Sequence, residues 1–115
     1  MEIKQVIQSV EDSATRYGLR ILYLDFTDVT VLARIGLSDE VFVQLYVNVR
    51  KQKKSFALIV AGDRVYGIDN EAGNYHEHPF DDPSSHIGAE EITFDTFVGN
   101  SLHYLSIMGW LAEDA

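Results

Sequence analysis

A chain of 115 residues with 46% hydrophobic content and no cysteine has enough apolar side chains for one packed core and too few for two. The missing cysteines exclude a disulfide framework and thiolate metal sites, so any metal would have to be held by His, Asp or Glu. A net charge of −9 disfavours broad attachment to nucleic acid or anionic lipid, which clustered Lys and Arg would drive. The last basic residue is Arg64, while Asp69, Glu71, Glu77, Asp81, Asp82, Glu90, Glu91, Asp95, Glu113 and Asp114 all follow it. No apolar run suits a signal peptide or a bilayer span, and the expectation is a soluble, cytoplasmic protein with no membrane contact.

Taken in chain order, Ile3, Val6, Ile7, Val10, Ala14 and Tyr17 recur at helical spacing and Gly18 follows as a stop, which predicts an amphipathic N-terminal helix. Leu19 to Phe26 and Val29 to Ile35 are rich in branched and aromatic residues around Thr27 and Asp28, the pattern of a hairpin. Val41 to Val49 alternates strictly, with Val41, Val43, Leu45, Val47 and Val49 on one side and Phe42, Gln44, Tyr46 and Asn48 on the other. Arg50 to Lys54 reads as an exposed turn, Ser55 to Ala61 as a strand, Gly62-Asp63 as a turn and Arg64 to Ile68 as a fifth strand. Short turns between successive strands predict an antiparallel meander.

After Ile68 the turn formers Asn70, Gly73, Asn74, Pro79, Asp81, Asp82, Pro83, Ser84, Ser85 and Gly88 predict a long loop. A short strand at Glu91 to Phe94 is expected next. Asp95 is then expected to cap a helix buried through Val98, Leu102, Leu105, Met108 and Leu111, with Gly99 and Gly109 as weak points. The fold class is thus α+β: N-terminal helix, antiparallel sheet of five to six strands, long loop and C-terminal helix.

Chemistry concentrates in residues 65 to 86, which hold three of the four histidines. If His76, Glu77 and His78 are extended, both imidazoles point to the same side. Such a pair can ligate a divalent metal such as zinc, with Asp69, Asp81 or His86 completing the shell. Alternatively it can act as acid and base around one phosphate or carbonyl. The bland alternative is a solvated loop tied down by its own Asp and Asn side chains, Asp69-Asn70 being then an Asx turn at a strand end. Arg50 to Lys54 reads as a charged hairpin tip, with phosphate contact as the sharper alternative; Arg20, Arg34 and Arg64, in or beside strands, are candidates to extend such a patch. Tyr46 belongs to a half-polar sheet face suited to stacking bases, unless a helix covers it. The stripe ending at Met108, Trp110 and Leu111 is expected to be core or a homodimer contact. No P-loop, dinucleotide fingerprint, H-E-x-x-H or nucleophile elbow is present.

The stretch Arg64-Val65-Tyr66-Gly67-Ile68-Asp69-Asn70, followed by Gly73, His76 and His78, resembles the signature of the TumE-like toxins of toxin–antitoxin pairs, in which a strand ends in Asp-Asn and His-x-His follows. The resemblance covers the middle third of the chain, and Glu77 departs from the basic or neutral residue of the pattern. It implies catalytic roles for Asp69, Asn70, His76 and His78, supported by Tyr66, and a toxin that acts on RNA and is neutralised by an antitoxin protein. A non-enzymatic domain that binds a metal, ligand or partner through the same loop is the alternative.

Overall fold

A computed structural model describes residues 1–71 and 73–111, with the side chain of Glu71 left aside. Helix α1 (Ile3–Tyr17) opens the chain, seven strands follow as β1 (Arg20–Phe26), β2 (Thr30–Ser38), β3 (Val41–Asn48), β4 (Lys53–Val60), β5 (Asp63–Glu71), β6 (Asn74–His78) and β7 (Ile87–Ala89), and helix α2 (Phe94–Ile107) closes it. The strands form one sheet in chain order, every neighbouring pair antiparallel. The architecture is the expected α+β meander, with seven strands in place of the expected five to six.

The register separates the two faces of the sheet. Ala33, Leu45, Phe56, Ile68 and Glu77 pair successively across β2 to β6, and so do Ile35, Val43, Leu58 and Tyr66 across β2 to β5. This is the face that both helices cover. Val6, Val10 and Ala14 of α1 and Phe94, Phe97, Val98 and Leu105 of α2 are buried against it. An aromatic cluster ties α2 down: Phe97 stacks on Tyr66 with ring centroids 4.6 Å apart, Phe56 meets Phe94 edge-on at 5.3 Å, and Tyr104 lies between Tyr66 and Phe80. Burial drives this packing, since each aromatic ring removes a large apolar area from water.

Three expectations change between Ile68 and α2. The fifth strand continues to Glu71 and turns back into β6, Glu71 pairing with Asn74; Gly73, at φ 81°, supplies the positive φ that this reversal needs. Asn70 and Asn74 are therefore strand residues, and the long loop contracts to residues 79–86. The short strand lies at Ile87–Ala89 rather than at Glu91 to Phe94, because Phe94 already belongs to α2.

The α2 cap is Thr93, whose hydroxyl accepts from the Thr96 N–H at 3.1 Å. Asp95 instead sits in the first turn, takes bonds from the Ser13 and Tyr17 hydroxyls and pairs with Arg16. The buried stripe is Phe94, Phe97, Val98, Ser101 and Leu105, while Met108 and Trp110 are 37% and 43% exposed. Gly99 has a packing reason: a Cβ there would lie 3.0 Å from the Tyr17 hydroxyl, where α1 and α2 approach closely. Among the described residues, no helix is long and apolar enough to cross a membrane.

Candidate functional site

Among the described residues, no helix lies on the second face of the sheet. Leu32, Tyr46, Ser55, Asp69, His76 and Gly88 form one cross-strand row on it, and Arg34, Gln44, Ala57, Gly67 and His78 form the next. The strand through His76, Glu77 and His78 therefore directs both imidazoles to this open face, because side chains alternate along it. Glu77, between them, faces the helices, where its charge helps raise the Tyr104 phenol above its ordinary range behind the larger effect of burial.

His78 is the deepest of the group, its side chain only 3% exposed. Its Nε2 lies 3.2 Å from Asp69 Oδ2 and its Nδ1 lies 3.1 Å from Arg64 Nη2. A guanidinium has only donors, so Nδ1 accepts from Arg64, and the ring proton on Nε2 is left to donate to Asp69. Both nitrogens of His78 are thereby committed. That arrangement suits a ring held in one orientation and leaves no lone pair for a metal or for a substrate proton.

The loop from Pro79 folds back over this ring. Asp82 N–H donates to Pro79 O at 3.1 Å and Ser85 N–H to Asp82 O at 3.0 Å, two successive turns. The Asp82 carboxylate accepts from the Ser85 and Ser84 hydroxyls, which hold it below the usual carboxylate range, Ser85 most strongly. The chain then delivers His86 edge-on to His78, centroids 4.3 Å apart, with His76 6.4 Å from His86. His76 is half-buried and His86 exposed. His76 and His86 make no side-chain hydrogen bond among the described residues.

Arg34 occupies the same cross-strand row as His78. Its Nε donates to Gln44 Oε1 at 3.0 Å, and its guanidinium lies 5.1 Å from the Phe42 ring centroid and 5.7 Å from that of Tyr23. Leu22, Tyr23, Arg34, Asp39 and Phe42 line a recess of about 280 Å³. Tyr46 is half-buried on this face and no helix among the described residues covers it, contrary to the default for a half-polar strand. A larger cavity, about 490 Å³, lies on the helix side between α1 and the start of α2, lined by Val6, Leu45, Phe56 and Phe94 among others, with the Lys54–Glu91 ion pair. None of the imidazoles reaches it.

Of the residues singled out in the sequence, His76, His78, His86, Asp69, Arg64, Arg34 and Tyr46 share the open face. Tyr66 and Asn70 do not. Tyr66 is buried under α2, where its hydroxyl accepts from Asn100 Nδ2 at 3.3 Å and burial raises its phenol above the ordinary range. Asn70 braces the β3–β4 turn, accepting from Lys54 N–H at 2.7 Å and donating to Gln52 O at 2.7 Å. Asn70→Ala is expected to lower unfolding free energy by about 1–2 kcal/mol, measured by urea denaturation. Asp81 is exposed on the loop, and among the described residues no three His, Asp or Glu side chains are placed to hold a metal ion. His76, His78, His86 and Asp81 thus do not form the ligand shell the spacing suggested, His78 being turned to Arg64 and Asp69 instead. Tyr23 is the open-face residue that sequence reasoning missed, because β1 has a register irregularity between Ile21 and Tyr23; only alternation through an unbroken strand is readable in advance.

The chain matches no family model, no curated protein and no solved structure.

Proposed function

We propose that this chain is a TumE-like toxin, or a relative of one, that cleaves single-stranded RNA on the open sheet face and is held in check by an antitoxin protein. The observation that carries this reading is the pairing of two uncommitted imidazoles, His76 and His86, 6.4 Å apart next to His78, whose Nδ1 accepts from the Arg64 guanidinium. Rings this close can both reach a single phosphate that sits across them from the solvent side. One ring takes the proton of a ribose 2′-hydroxyl as its oxygen attacks phosphorus. The other ring, protonated at the start, gives its proton to the departing 5′-oxygen as the P–O5′ bond breaks, leaving a 2′,3′-cyclic phosphate and a free 5′-hydroxyl. His78 holds its neighbour His86 in place from below, itself fixed by Asp69 and Arg64. The remaining guanidinium N–H groups of Arg64 are suited to the phosphate oxygens.

The row from His78 to Arg34 gives the substrate a path. Four strand spacings separate them, about 19 Å at ~4.8 Å each, a span of a few nucleotides across the strands. Tyr46, Phe42 and Tyr23 border that path and offer rings on which bases can stack. Of the nine Lys and Arg residues, Arg20, Arg34 and Arg64 stand on this face alongside Asp25, Asp39 and Asp69, so these charges balance and the face is less acidic than the chain as a whole.

Expression in a bacterial host is expected to arrest growth, and His76→Ala to relieve the arrest at equal protein level. Full toxicity in that variant removes the catalytic assignment. A binding role without catalysis is the second reading, favoured by the commitment of both His78 nitrogens; it predicts RNA retention on a filter with no shortening of the strand.

A further inference from the structure

Among the described residues β1 is the long free edge of the sheet, and between its charged ends, Arg20 and Asp25, and around its one register slip it carries an apolar run. Sheet edges are ordinarily blunted by short strands or interspersed charge; β7, the opposite edge, has three residues. β1 has seven, six of them exposed, and exposes Ile21 at 44%, Tyr23 at 44%, Leu24 at 36% and Phe26 at 56%. Pairing places Ile21, Leu24 and Phe26 on the helix-bearing face, opposite Ile35, Ala33 and Val31, where they nevertheless stay well exposed.

The charges of the strand decide which partner fits it. Because the register slips once between Ile21 and Tyr23, Arg20 and Asp25 come to lie on the same face, paired with Gly36 and Leu32 of the open side. In an uninterrupted strand two residues five apart would face opposite ways. Now let a second β1 run antiparallel to the first about a two-fold axis normal to the sheet, passing between Leu22 and Tyr23. Arg20 then stands opposite Asp25 of the partner subunit, Ile21 opposite Leu24 of the partner subunit, and the symmetry repeats both pairs. Directly opposed charges and apolar pairs are the contacts that stabilise neighbouring strands. Asp25 has no ion-pair partner among the described residues, and Arg20 spends one Nη2 donor on Leu37 O at 2.7 Å, keeping its others.

We propose that β1 is a self-pairing edge through which two copies of this chain join in an isologous dimer, their sheets continuous and Arg20 of each copy facing Asp25 of the partner subunit. The register slip interrupts the ladder at the axis, so pairing rests on the two flanks. A self-complementary patch is the requirement of a two-fold interface, and the sequence Arg20-Ile21-Leu22-Tyr23-Leu24-Asp25 meets it in charge and apolarity when read in both directions. The open faces of the two copies then lie side by side, which extends the path proposed for RNA.

Sedimentation velocity over a concentration series tests this on the full chain. The wild type is expected to shift from monomer to dimer as concentration rises. Asp25→Arg is expected to weaken association at least tenfold, since it opposes two arginines twice over, and Arg20→Asp to do the same. The double variant Arg20→Asp with Asp25→Arg restores opposed charges and is expected to recover the dimer, which a mere folding defect would not do. A wild type that stays monomeric throughout overturns the proposal, whether or not a different protein strand is later found on β1. So does a dimer indifferent to Asp25→Arg. Neither result bears on cleavage by His76 and His86, which is read separately from growth arrest.

Discussion

His86→Ala and His76→Ala are each expected to lower the rate of RNA cleavage by about 10²–10⁴-fold, the usual contribution of a positioned acid or base. His78→Gln is expected to act differently. Its ring is sealed between Arg64 and Asp69, with both nitrogens engaged, so its loss disturbs the placement of His86 without deleting a proton carrier. The measurement that separates these roles is the pH dependence of the cleavage rate. Loss of either proton carrier removes one limb of a bell-shaped profile, whereas loss of a positioning residue lowers the rate and keeps both limbs. If the His78→Gln profile lost a limb, the assignment of His76 and His86 as the working pair would be wrong. Removing His78 also leaves Arg64 and Asp69 without their shared partner, a destabilisation of about 1–3 kcal/mol, so rates are to be compared well below the unfolding transition.

Phe97→Ala is expected to lower the free energy of unfolding by about 3–5 kcal/mol. Phe97 is fully buried, stacked on Tyr66 and 5.5 Å from Phe56, and it is the point at which α2 meets β4 and β5. A void there has no flexible neighbour to fill it, because Tyr66 is held by Asn100 and Phe56 by Phe94. Met108→Ala, one residue past the end of α2, is expected to change stability by no more than about 0.5 kcal/mol. Urea unfolding of the two variants checks the phase of the helix directly, since a buried stripe running through Met108 predicts comparable losses.

The larger cavity between the helices and the imidazole cluster lie on opposite faces of the sheet. Size alone would favour the cavity as a binding site. The open face is preferred for chemistry because proton carriers, guanidinium groups and aromatic rings stand together there, and no imidazole reaches the cavity.

Periodicity alone determined the element types up to Ile68: the apolar spacing of Ile3 to Tyr17 and the alternation of Val41 to Val49 are local consequences of helix and strand geometry. The same logic placed His76 and His78 on one side of an extended segment. What followed Ile68 was not legible, because Asn70, Gly73 and Asn74 serve equally in a loop and at the tip of a hairpin, and only pairing with β5 distinguishes the two. The phase of α2 was also decided by tertiary contact, since Phe94 and Phe97 are drawn under Phe56 and Tyr66 while Met108 falls beyond the last turn. Nor could spacing reveal that Tyr66 and Asn70 face the helices and the β3–β4 turn, or that Arg64 closes over His78. Those outcomes depend on which residues become neighbours across strands, and cross-strand register is a property of the assembled sheet.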